Sequence, residues 1–198
     1  MGSGDPFDRI EQGIANVRER LTPATHALEA AGIPYAVVGC NAVAHWVATV
    51  DEAAVRFTPD VDVMIERTRF EAAEVAMSSV GFSWNRSLDS VLFLDGPDGK
   101  PRNAVRIFFA REKVRPNAPL PGPPLDAVVR SPNGYAVLAF HPLVYLELTS
   151  FRDKDRMHLR DLIDVGLLSP EDIRKFPGLL GERLQFLFDN PEEELHTL

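Results

Sequence analysis

Asp60 and Asp62 are the residues of this chain best suited to chemistry. They stand in Pro59-Asp60-Val61-Asp62-Val63-Met64-Ile65, a short apolar run interrupted only by the two carboxylates. Side chains alternate along a strand, so Asp60, Asp62 and Met64 would share one face while Val61, Val63 and Ile65 enter a core. Two carboxylates held side by side at the mouth of an apolar strand repel each other and resist ionisation. A divalent cation relieves that cost, and hard oxygen ligands suit magnesium. A solvated strand edge is the plainer account of two such aspartates, so the choice rests on the elements that surround them.

Residues 35–38 form an apolar run between Pro34 and Gly39, long enough for a buried strand and too short for a helix. After Gly39 and Cys40, residues 41–50 place Ala42, Val43, Trp46, Val47 and Val50 at helical spacing, with Asn41 as cap. A loop ending in Thr58-Pro59 then delivers the chain to the aspartates. Upstream, Phe7, Ile10, Ile14, Val17 and Leu21 mark an amphipathic helix, and Thr22-Pro23 restarts a second one that Gly32 stops. Downstream, Thr68 and Glu71 make a capping-box pair for a helix that Gly81 closes. Short strands are expected at residues 82–84, 91–94 and 104–110, then, past a proline-rich stretch, at 127–129 and 135–138. Helical patterns follow at 143–151, 153–165, 170–176 and 179–188. The fold class is therefore α/β (α+β), with a core over residues 1–140 and a C-terminal helical segment over 141–198.

The 198 residues suffice for one well-cored domain, and the hydrophobic content of 45% and charged content of 25% are those of a soluble globular protein. A formal net charge of −8 argues against broad, non-specific nucleic-acid binding, which wants a basic surface. The single cysteine, Cys40, excludes an internal disulfide and fits a reducing cytoplasm. No apolar run approaches the length of a membrane span.

The frame Val37-Val38-Gly39-Cys40-Asn41-Ala42-Val43-Ala44, followed by Arg56-Phe57-Thr58-Pro59-Asp60-Val61-Asp62, resembles the nucleotidyltransferase fold of the DNA polymerase beta superfamily. It is similar in particular to the small bacterial AbiEii-type and minimal nucleotidyltransferases. Their signature is Gly-Gly or Gly-Ser after a strand, a helix, then Asp-x-Asp, often preceded by Arg-x-Thr. Cys40 departs from it, and the longer spacing to Asp60 implies an inserted turn around residues 51–54. A second stretch, Leu148-Thr149-Ser150-Phe151-Arg152-Asp153-Lys154-Asp155-Arg156, resembles the Lys-Asp helix of AbiEii-like members.

The resemblance implies a mixed sheet with flanking helices. It makes Asp60 and Asp62 catalytic residues and magnesium ligands, and it places a nucleoside triphosphate against Gly39, Cys40, Asn41, Arg56, Thr58 and Lys154. It also implies transfer of a nucleotidyl group to an acceptor, with protein and RNA both open. The superfamily's third carboxylate should come from strand 104–110, where alternation offers Ala104, Arg106 and Phe108, so Arg106 stands in the acid's place. Two other readings stay beside the enzyme: a catalytically weakened nucleotide-binding module, and a toxin- or antitoxin-like partner in a two-protein system. Plainer roles are expected for other candidates. Cys40 is read as a small buried residue with no catalytic partner at hand, His45 as packing or surface, and His158 as part of a solvated network with Lys154, Asp155 and Asp161.

Overall fold

In the computed structural model, which describes residues 6–87 and 90–191, the chain alternates strands and helices up to residue 138 and is helical beyond it. Helix α1 (Pro6–Ala30) leads into strand β1 (Tyr35–Val38), helix α2 (Gly39–Ala48) and strand β2 (Val61–Ile65). Helix α3 (Phe70–Ser79), the hairpin β3 (Phe82–Ser87) and β4 (Ser90–Asp95), and strand β5 (Val105–Phe109) follow. After the proline-rich loop come β6 (Val128–Arg130) and β7 (Ala136–Leu138), then helices α4 (Phe140–Ser150), α5 (Asp153–Asp164) and α6 (Leu179–Asp189).

Among the described residues the strands form one seven-stranded sheet in the order β3-β4-β5-β2-β1-β7-β6. It is mixed: β1 runs antiparallel to β2, whereas β1–β7 and β2–β5 are parallel pairs. Every residue of β1 and of β2 is buried. That explains why β1 reads as an unbroken apolar run rather than an alternating one, since both of its faces are covered. Helices α1 and α3 pack together and α1 lies against β2 and β5, while α2 packs on α4 and α5. The polar side expected for β2 is therefore not a solvated face. Met64 is fully buried, and Asp62 is only 4% exposed.

Three local expectations give way. The helix expected to restart at Thr22 is continuous through Pro23. The hydroxyl of Thr25 donates to the carbonyl of Leu21, one turn back along the same helix. Of the amphipathic stripe on this helix, Val17 and Leu21 are buried, and the side chains of Phe7, Ile10 and Ile14 lie outside the described set. Asn41 does not cap α2, which begins two residues earlier, at Gly39, with no side-chain cap. Thr68 and Glu71 make no capping box, because α3 starts at Phe70 after a short 3-10 turn. By contrast, Ser169 and Asp172 do form a reciprocal capping box at the start of the 3-10 segment Pro170–Lys175.

Candidate functional site

The site is built where β1 ends. Gly39 takes a left-handed conformation, with φ of +60°, so the chain can turn directly from β1 into α2. A second constraint acts at the same residue. A Cβ placed on Gly39 would lie 2.7 Å from Oδ2 of Asp62, so only glycine lets the turn close over that carboxylate. Asp62 faces Val38 across the β1–β2 ladder and Arg106 across the parallel β2–β5 ladder. Arg106 Nη1 donates to Asp62 Oδ1 at 3.1 Å. Alternation alone predicts Arg106 on this face, and the register places it directly beside the aspartate.

Asp60 precedes β2 rather than opening it, and it is half-exposed where Asp62 is buried. Its backbone is held from two sides. The Asn41 amide donates to its carbonyl oxygen, and its own N–H donates to Thr58 Oγ1 at 3.2 Å. Arg20, reaching over from α1, donates to the carbonyl of the preceding Pro59 at 2.7 Å. Asn41 and Thr58 thus fix the turn that presents Asp60. Arg56 pairs at 2.8 Å with Asp161 of α5 rather than with either aspartate.

The opposite wall comes from the C-terminal helices. Phe151 ends α4 in the left-handed region, φ 50°, and so reverses the chain sharply enough for α5 to begin at Asp153 beside the carboxylates. Lys154 Nζ lies 3.9 Å from Asp60 Oδ2 and lines the same cavity as Asp62 and Gly39. Arg152 lines it too, fixed by Nε and Nη2 bonds to Asp155 at 2.8 and 3.0 Å. The cavity measures about 20 Å³, room for little more than one water molecule.

Deeper in this wall lies a group that sequence reading missed. His158 is not solvated: it is 4% exposed, and its Nδ1 sits 3.0 Å from Oε2 of Glu147, itself buried on α4. Burial alone would lower the imidazole's pKa, but its contacts with the Cys40 thiol and the Glu147 carboxylate outweigh this and push it up to about 10. Cys40 therefore does have a histidine neighbour, supplied by tertiary packing. Burial pushes Glu147 up as well. Burial also acts to raise Asp155, yet the Arg152 guanidinium outweighs it and holds the carboxyl below its ordinary range. The one signal available in the sequence was Glu147 itself, a lone carboxylate in the apolar stretch Leu143-Val144-Tyr145-Leu146-Glu147-Leu148.

The acids that flank β5 in the sequence are engaged elsewhere: Glu112 is bonded to Arg67, and Asp95 ends β4 opposite Phe82. The carboxylates that do join Asp62 around the cavity are Glu147 and Asp155. With His158 they bring ligand atoms within 4.8 Å of one another, a spacing that suits an ion. Their charges are already taken up, however, by His158 and Arg152.

Asp62, by contrast, keeps one oxygen open. Burial pushes the Asp62 carboxyl up, with Arg106 and Lys154 offsetting part of that. Its Oδ2, turned to Gly39, accepts no hydrogen bond from the described residues, so it has a free lone pair for a metal. Oδ1 is engaged by a guanidinium that repels any ion on the β5 side. Asp62 thus offers one open oxygen on the Gly39 side and none facing Arg106.

The six residues expected to contact a nucleotide do not line one surface. Gly39 and Lys154 border the small cavity with Asp62, whereas Asn41, Arg56 and Thr58 border a groove of about 570 Å³ on the α1 side. Cys40 lies between them, in the first turn of α2 and half-buried.

Comparison with known proteins agrees with this architecture. The solution structure of the antibiotic-resistance factor ANT(2'')-Ia matches with a TM-score of 0.51 at 14% identity, over 86% of this chain and 89% of that one. The crystal structure of the Megavirus polyadenylate synthase matches with a TM-score of 0.42 at 12% identity, over 96% of this chain and 35% of that one. No family model and no curated protein sequence matches the chain. The fold is nucleotidyltransferase-like: a mixed α/β sheet with flanking helices and a helical C-terminal part.

Proposed function

We propose that this protein binds a magnesium-bound nucleoside triphosphate at the Gly39 turn and that nucleotidyl transfer from it is slow. The observation that carries the reading is the β2–β5 register, which sets Arg106 against Asp62 where a third carboxylate would complete the site. Asp60 and the free oxygen of Asp62 would hold the ion that travels with the triphosphate. The first backbone N–H groups of α2 point away from a ten-residue helix and attract phosphate. Lys154, from the helix that resembles the AbiEii-type Lys-Asp segment, supplies a mobile positive charge opposite Asp60. A bound ion would contribute polarisation of phosphate oxygens; the chain's own part is to position the triphosphate and exclude water.

Arg106 also gives specific support to the second reading, a nucleotide-binding module without efficient transfer. A permanent guanidinium repels the ion that would activate the nucleophile, although it can still contact a phosphate oxygen. Losing one transition-state charge stabiliser of this kind costs on the order of 10²–10³ in rate.

The test is titration calorimetry with each triphosphate, with and without magnesium, alongside transfer assays with labelled triphosphate. Magnesium-dependent binding with little transfer is expected, and Arg106→Asp should create affinity for a second divalent ion. Brisk transfer by the native protein, abolished in Arg106→Asp, would make Arg106 catalytic and overturn the weakened-site reading.

A further inference from the structure

The cavity beside Asp62 admits a metal ion or a phosphate oxygen and nothing the size of a nucleoside. The α1-side groove is some thirty times larger, at about 570 Å³ against about 20 Å³, and within the range of small-molecule sites. Asn41 and Thr58 link the two. Asn41 and Thr58 line the groove and clamp the backbone of Asp60, and Asn41 belongs to the same helical turn as Gly39.

The groove's lining has the mixed character of a nucleoside site. Val17 and Leu21 of α1 give it an apolar floor, and Phe57 and Tyr135 bring two aromatic rings to its walls. Phe57 is 41% exposed, so its ring is open to a ligand in the groove. Arg18 lines the same groove and has no ion-pair partner among the described residues, and the Asn133 amide there is exposed.

We propose that the groove between α1, α2 and the β1–β2 loop holds the base and sugar of the bound triphosphate, its phosphate chain passing over Asn41 and Thr58 to Asp60 and Asp62. This inference rests on the reading that the protein binds a triphosphate. It explains why the residues that resemble a nucleotide signature divide between two cavities: one set serves the phosphates and the other the nucleoside.

The experiment compares, by calorimetry in magnesium, the four ribonucleoside triphosphates with inorganic tripolyphosphate, which has the phosphate chain but no nucleoside. Stacking on an aromatic side chain contributes enough that its removal should weaken nucleotide binding about tenfold or more. Phe57→Ala, at an exposed position that does not threaten folding, should therefore weaken the best-bound triphosphate and leave tripolyphosphate unchanged. Asn133→Trp, which fills the groove from an exposed turn, should do the same. If the native protein binds triphosphates and neither variant changes the affinity, the nucleoside lies elsewhere and the proposal fails while the triphosphate reading survives. If the native protein binds neither tripolyphosphate nor any nucleotide, both fail together.

Discussion

The two walls of the cleft bring cations to carboxylates by different means. On the sheet wall, Asp62 and Arg106 face each other because two parallel strands are in register, and Gly39 closes over them because the strand ends there. On the helical wall, Glu147 meets His158, Asp155 meets Arg152 and Lys154 approaches Asp60 because two helices joined by a left-handed turn at Phe151 fold back on α2. The sheet wall is fixed by backbone hydrogen bonds and leaves an aspartate oxygen open. The helical wall is fixed by side-chain pairs that leave its buried acids satisfied. The sheet wall keeps one oxygen accessible, while paired acids hold the helical wall in place.

The comparison breaks most sharply at Glu147. Removing one partner of a buried pair leaves the other charge uncompensated, so Glu147→Ala should cost about 3–5 kcal/mol in denaturant unfolding. The double change Glu147→Leu with His158→Leu should recover most of that loss. A single-variant cost near zero would mean that the pair does not hold the wall. The same pair predicts a pH dependence. The folded pKa of His158 is raised from 6.5 to about 10, so its stabilising proton is fully present below about pH 6.5 and lost as pH rises toward 10. The denaturation midpoint should fall across that window, and the fall should flatten in the double variant.

Gly39→Ala tests the sheet wall. The left-handed φ alone costs about 1–3 kcal/mol, and the added methyl meets Asp62 Oδ2 at 2.7 Å. Combining it with Asp62→Ala should relieve the contact and leave the backbone strain, so the two costs should be less than additive. Additive costs would show that the turn does not press on the carboxylate.

Lys154→Ala should have the smallest effect on stability. Its pair with Asp60 is long, at 3.9 Å, and half-exposed, so folding should change by no more than about 1 kcal/mol. Triphosphate affinity should fall nevertheless. A variant that binds triphosphate as the native protein does would assign Lys154 to surface charge alone.

Much of the sheet wall was legible in the sequence because strand chemistry is local. An apolar run bounded by Pro34 and Gly39 specifies β1, and alternation through residues 104–110 puts Arg106 on the aspartates' face. Helix starts were less legible. Asn41 and Thr68 have the right chemistry for caps, but the chain turns at Gly39 and Phe70 instead, and Asn41 is drawn off to the carbonyl of Asp60. His158 misled because helical spacing among charged neighbours is also the pattern of a solvated face, and only the packing of α4 and α2 against α5 buries it.

The sequence by itself determined the strand–turn–helix frame around Gly39, since it follows from residue types within a few positions of one another. Only the tertiary structure decided that Asp62 is buried and Asp60 is not, that Cys40 has a histidine beside it, and that the nucleotide signature is split between a narrow cavity and a broad groove. Those outcomes depend on contacts such as Asn41 with Asp60, 19 positions apart, and Arg106 with Asp62, 44 apart, where no local periodicity carries information.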